Sequence, residues 1–181
     1  MRGIVRGALI AIVIAAGQPV SATVTPPPAQ IACDFVTGGG YIVGVTIQPQ
    51  PLLTLTDGTK GNFGVGGGVR NGALWGHLEY NDHGMNPPFQ VHGTSVTGYF
   101  VGGTDNSRII TGIAEVNGID GFAYTVEVTD NAEPGRGADV FSIHVEWTTP
   151  YTAGGILGGG NIQLHEPNAS NAPPPNMSCA R

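Results

Sequence analysis

Apolar and polar residues alternate with a period of two along much of this chain. Across residues 122–129, Phe122, Tyr124, Val126 and Val128 fall on one side and Ala123, Thr125, Glu127 and Thr129 on the other, which is the pattern of a strand buried on one face. The next segment repeats it, with Phe141, Ile143, Val145 and Trp147 against Ser142, His144 and Glu146. These two are expected to pair as an antiparallel hairpin around a long loop, their apolar faces forming the centre of the core.

Further strands are predicted over 34–45, 61–69, 73–80, 89–101 with a break near Gly93, 108–116 and 161–165. Turn signals separate them: Asp57-Gly58, Asn71-Gly72, Asn117-Gly118, and the runs 82–88 and 102–106. No segment carries a sustained apolar stripe at helical spacing. Strands at this spacing with nothing helical between them predict an all-β fold, an antiparallel β-sandwich of jelly-roll type or a partly closed barrel. Triple glycines stand at 38–40, before Tyr41 and Ile42 in the first of these strands, and at 158–160, just before the last. Such runs mark bulges or close backbone approach, so the two terminal strands are expected to lie side by side.

The N-terminus changes the picture of where this fold works. Arg2 and Arg6 precede an apolar run from Ala8 to Ala16 that is too short to span a bilayer, and Gly17, Pro19, Val20 and Ala22 follow it. This is the layout of a secretory signal at 1–22, cut after Ala22. A Pro-rich spacer at 23–32, a single β domain at 33–165 and an irregular tail at 166–181 complete the organisation. A lipidated Cys33 is the competing reading of this region, but Gln30-Ile31-Ala32 lacks the Leu usual three residues before a lipidated Cys. With no apolar stretch or sorting motif after the domain, the sequence predicts a secreted, unanchored protein.

Removing the signal leaves five basic residues against 13 acidic ones, a net charge of about −8. That excludes the clustered Lys and Arg that nucleic-acid binding requires. An extracellular protein or a neutral glycan is the expected partner class. Export also makes a bond between Cys33 and Cys179 the expected state of the two cysteines, with free thiols as the alternative.

Candidate chemistry is concentrated in two places. The loop between the two alternating strands holds Asp130, Asn131, Glu133 and Asp139, hard oxygen ligands around a Gly-containing turn that would suit calcium. A solvated turn balanced by Arg136 is the competing reading. Asp82, His83 and His92 are the second group, readable as a metal or catalytic cluster or as a loop in which Asp82 caps a turn. Trp75 falls on the polar face of its strand with His77 and Glu79, as a ring for stacking on a sugar or a partner. Glu79, Glu115, Glu127 and Glu146 lie on strands and could supply paired carboxylates for glycoside hydrolysis. Nucleophile elbows, zinc-protease helices and phosphate loops do not occur.

Several segments taken in order carry a family resemblance: Val36-Thr37-Gly38-Gly39-Gly40-Tyr41-Ile42, Gly61-Asn62-Phe63-Gly64, Gly76 to His83, His92 to Tyr99, the Asp130 to Phe141 loop, and Gly158-Gly159-Gly160-Asn161-Ile162. Together they resemble the secreted bacterial post-choice-of-anchor domain. The resemblance implies an extracytoplasmic β domain, often joined to larger cell-surface proteins, with no established activity and no catalytic residues to transfer. The sequence therefore supports a non-enzymatic binding or structural module stabilised by calcium. The alternative is a small extracellular hydrolase using Asp82, His83 and His92 or a pair of strand carboxylates.

Overall fold

The computed structural model describes residues 29–44 and 53–180, so the expected signal, residues 23–28 of the spacer and Val45 lie outside the described residues. Strands follow one another with no helix between them among the described residues: β1 (Ala29–Ile31), β2 (Phe35–Val43), β3 (Leu53–Thr54), β4 (Lys60–Arg70), β5 (Ala73–Asp82), β6 (Phe89–Val101), β7 (Ser107–Val116), β8 (Ile119–Thr129), β9 (Val140–Val145), β10 (Tyr151–Ile156), β11 (Gly159–His165) and β12 (Met177–Cys179). Ten form one sheet in the order β11-β2-β4-β5-β6-β7-β8-β9-β10-β3. Its pairs are antiparallel except β10 with the short β3.

The sheet curls around its larger apolar side chains, most of which lie on one face, while Val43, Val101, Ile119 and Ile156 stay exposed. Phe63 of β4 and Phe141 of β9 stack with ring centroids 3.9 Å apart, although five strand steps separate them in the sheet. Phe89 of β6 stacks on Tyr151 of β10 at 4.2 Å. These rings meet across the interior of a half-barrel, which matches the expected sandwich or partly closed barrel. The anticipated hairpin is present: Val126 pairs with Ile143 and Val128 with Phe141, and all four are buried. Each such side chain, fully buried, contributes about 1.5–3 kcal/mol of hydrophobic stabilisation.

Turns and glycines set the local geometry. Asn71-Gly72 and Asn117-Gly118 both have positive φ at both residues, the two-residue turn that matches the twist of an antiparallel hairpin. The expected break near Gly93 is a bulge inside one continuous strand, followed by a second near Val96. β2 and β11 are neighbours, with Gly40 opposite Gly160. A Cβ on Gly40 would lie 2.2 Å from the Gly159 carbonyl oxygen, and Gly160 has φ of 108°, so no other residue fits this crossing.

The chain ends are tied together. β1 pairs with β12 in parallel, and Cys33 is bonded to Cys179 across 146 residues of sequence with Cα atoms 5.3 Å apart. The Cys33 sulfur is thereby occupied. The tail is irregular up to β12, but more than the disulfide holds it. Asn71 N donates to Ser170 O at 2.6 Å, Gly72 N to Ala172 O at 3.1 Å, and the buried Asn171 amide to Val69 O at 2.6 Å. No helix among the described residues is long and apolar enough to cross a membrane.

Candidate functional site

Strand register decides which polar side chains meet on the outer face. In β4, Phe63, Val65 and Val69 point into the core, leaving Asn62, Gly64, Gly66 and Gly68 on the opposite side. Pairing then carries two rows across four strands. One runs Gly64, Glu79, His92 and Glu115; the other runs Asn62, Asn81 and Gln90 and ends on Asn117, whose Oδ1 accepts from Gln90 N at 2.8 Å.

These rows line an open groove of about 390 Å³. Its floor is Gly64, where an added Cβ would meet nothing within 4 Å. Glu79 Oε1 contacts His92 Nδ1, and the two side chains are 62% and 59% exposed, so both are accessible from solvent. Glu115 stands on the other side of His92. Asn81 lines the groove with its Oδ1 buried and without a hydrogen-bond partner among the described residues. No Lys or Arg lines this groove.

A second hollow, about 270 Å³, opens further along the same face between Trp75, Phe35, Arg70 and the tail. Trp75 is half-buried, with its ring centroid 6.1 Å from that of Phe35. Phe35 in turn stacks on His165 at 4.2 Å, and His165 Nε2 lies 2.9 Å from Thr37 Oγ1. Between the two hollows the exposed His77 leans over Gly66, its ring 2.8 Å from where a Cβ would stand.

Asp82, His83 and His92 are not brought together. Asp82 is fully buried on the inner face, where its Oδ2 accepts from Tyr151 OH at 3.0 Å and its Oδ1 from Gly84 N at 2.7 Å. Tyr80 and Tyr151 hydroxyls lie 2.7 Å apart, extending this internal chain. His92 has the opposite strand parity from Phe89, which pairs with Asp82, so it projects outward. His83 is exposed, and its N–H donates to Lys60 O at 3.1 Å. The turn-capping role is what the geometry gives Asp82.

The acidic loop is threaded by its own hydrogen bonds. Asp139, fully buried, accepts from Asn131 N at 2.9 Å, Ala132 N at 3.2 Å and Ile162 N at 2.8 Å. Asp130 Oδ2 accepts from Leu164 N at 2.8 Å. Glu133 Oε2 accepts from Asn161 Nδ2 at 2.9 Å, and Asn131 Nδ2 donates to Ala138 O at 2.8 Å. Among the described residues no group of three His, Cys, Asp or Glu side chains is placed to hold a metal ion.

Of the strand carboxylates, Glu79 and Glu115 come to one site. Glu127 receives Gly103 N at 3.1 Å, and Glu146 contacts His144 at 3.1 Å elsewhere. Sequence reading missed a second buried polar cluster. Asp34 accepts from Arg108 through Nε at 3.0 Å and through Nη2, and from Tyr99 OH at 2.7 Å, all inside the domain beside the disulfide. It also missed Asn62, Gly64, Asn81, Gln90 and Asn117 as a set. No protein-family model matches this chain, and neither a curated protein nor a solved structure does.

Proposed function

We propose that this chain is an exported, non-enzymatic binding module whose binding face is the outer groove over Gly64. The observation that carries the reading is the groove itself: four strands converge polar side chains around a floor that lacks one. A sheet face that only met water would gain nothing from leaving Gly64 bare, since glycine weakens a strand interior by roughly 0.5–1 kcal/mol relative to alanine. Three of the segments that resemble the post-choice-of-anchor domain supply this groove, through Gly64, Glu79 and His92. Export is supported by the signal-like N-terminus and by the disulfide.

The test fills the floor. Gly64→Tyr, with Ile156→Tyr on the exposed face of β10 as the control outside the groove, is compared with the unmodified domain in a binding screen against extracellular glycans and proteins. Loss of a captured ligand with Gly64→Tyr alone, at unchanged melting temperature, supports the groove. A ligand captured equally by all three proteins places binding elsewhere.

One observation favours a hydrolase as the second reading. Glu79 and Glu115 lie in the same row with one strand between them, so their backbones stand about 9–10 Å apart, near the roughly 6.5–9.5 Å carboxyl separation of inverting glycosidases. Release of reducing ends from polysaccharide, abolished by Glu79→Gln and by Glu115→Gln, would establish it.

A further inference from the structure

We infer that the groove recognises a neutral, hydroxyl-rich chain, an uncharged polysaccharide segment that begins over Gly64 and extends along β4 to Trp75. This rests on the groove being a binding face, and it names the ligand.

The lining chemistry selects the class. Carboxylates at Glu79 and Glu115 accept hydrogen bonds, and the amides of Asn62, Asn81 and Gln90 both donate and accept. Sugar hydroxyls meet both demands at once. The unpartnered Asn81 Oδ1 shows an amide whose hydrogen bonds the protein does not complete. An anionic chain would face two carboxylates with no Lys or Arg in the groove, on a protein with net charge −6 even counting its N-terminal arginines. Like charges so placed disfavour that ligand. A basic peptide would satisfy the carboxylates but leave the amides without matched partners, which is costly when they are desolvated.

The shape selects an extended ligand. Gly64, Gly66 and Gly68 are successive outward positions of β4, about 13 Å of strand from first to last. Gly64 is open, Gly66 lies under His77 and the edge of Trp75, and Gly68 is covered by Phe35, so a ligand leaving Gly64 runs over these side chains toward Trp75. At the far end Trp75 and Phe35 border the second hollow. An aromatic ring there offers an apolar face to the C–H side of a sugar, the amphipathic role in which Trp recurs at recognition surfaces. His77 is exposed and lies over Gly66 between the two hollows, so it has to rotate aside. Short ligands therefore occupy the polar groove alone, and longer ones reach the tryptophan.

The experiment is calorimetric titration of the oxidised full domain with neutral cello-, manno- and xylo-oligosaccharides from disaccharide to hexasaccharide, an oligogalacturonate and an oligolysine peptide. At least one neutral series should bind, with affinity rising with length, and oligogalacturonate should not. Gly64→Tyr should weaken binding of every length by about tenfold or more, whereas Trp75→Ala should weaken only the longer members. Ile156→Tyr, at an exposed position on β10 that lines neither hollow, should bind as the unmodified domain does. Should none of the neutral series bind while oligolysine or a protein partner is lost with Gly64→Tyr, the groove remains a binding face and the glycan inference falls. Should a neutral series bind equally well to Gly64→Tyr, both the glycan site and the groove reading fall. Equal loss at all lengths with Trp75→Ala overturns the extended path from Gly64 to Trp75.

Discussion

Four of the five tyrosines, Tyr80, Tyr99, Tyr124 and Tyr151, are buried in the core with 2% exposure or less. Burial raises the pKa of each above the ordinary value near 10, to about 12 for Tyr124. The Asp34 carboxylate adds to the rise at Tyr99, and Tyr80 and Asp82 add to it at Tyr151. The folded chain therefore holds these protons more tightly than the unfolded chain does. Stability is fully present below the ordinary tyrosine pKa, and it is lost as pH rises above that value toward the folded ones. In an alkaline titration, tyrosinate absorbance of the buried rings should appear in the same cooperative step as loss of β-sheet circular dichroism. Gradual ionisation of all five with the sheet intact would contradict their burial.

At the scale of elements, the acidic loop between β8 and β9 acts on the open side of β11. Strand β11 pairs with β2 on one side only, and on the other side its Ile162 and Leu164 N–H groups would be free. Asp139 and Asp130 receive them, so carboxylates stand where a further strand would, and the edge is closed to other chains. Asp139→Ala strands three backbone donors and should destabilise the domain by about 3 kcal/mol or more in urea denaturation. Calcium would have to displace these bonds, so melting curves with millimolar calcium and with chelator should superimpose. A calcium-dependent rise in melting temperature that Asp139→Asn removes would make the loop a metal site after all.

How far the site was legible follows from the turns. Counting outward from Asn71-Gly72 places Gly64 opposite Glu79, and this half of the groove could have been read directly. The β5–β6 connection has no tight turn, and two bulges shift the β6–β7 register, so the positions of His92 and Glu115 could not be counted. The alternating strands β8 and β9 announced themselves because one face is solvated. β10, Tyr151-Thr152-Ala153-Gly154-Gly155-Ile156, escaped because its glycines leave only Tyr151 and Ala153 to mark the inner face. For Asp139, the sequence shows a carboxylate in an acidic loop but not the N–H groups that reach it from Asn131, Ala132 and, across on β11, Ile162.

For the molecule as a whole, the staple between Cys33 and Cys179 closes almost the entire domain. The chain-entropy model gives about 5 kcal/mol for a loop of 146 residues, an upper figure because the tail is also hydrogen-bonded to the β4–β5 hairpin. Reduction and alkylation should lower the urea midpoint without changing the native β-sheet spectrum at low denaturant. Both thiols alkylating without prior reduction would refute the staple.

The parallel pairing of β1 with β12 beside that bond has a mechanical consequence. A pull applied at Gln30 and at Ala180 draws two short parallel strands past each other in shear, and the covalent link carries the load before the curled sheet does. Tension along the polypeptide would then pass the domain by, extending it only by the few residues outside the link and leaving the groove over Gly64 undistorted. After reduction the same pull would reach β2, and the tail would peel away first.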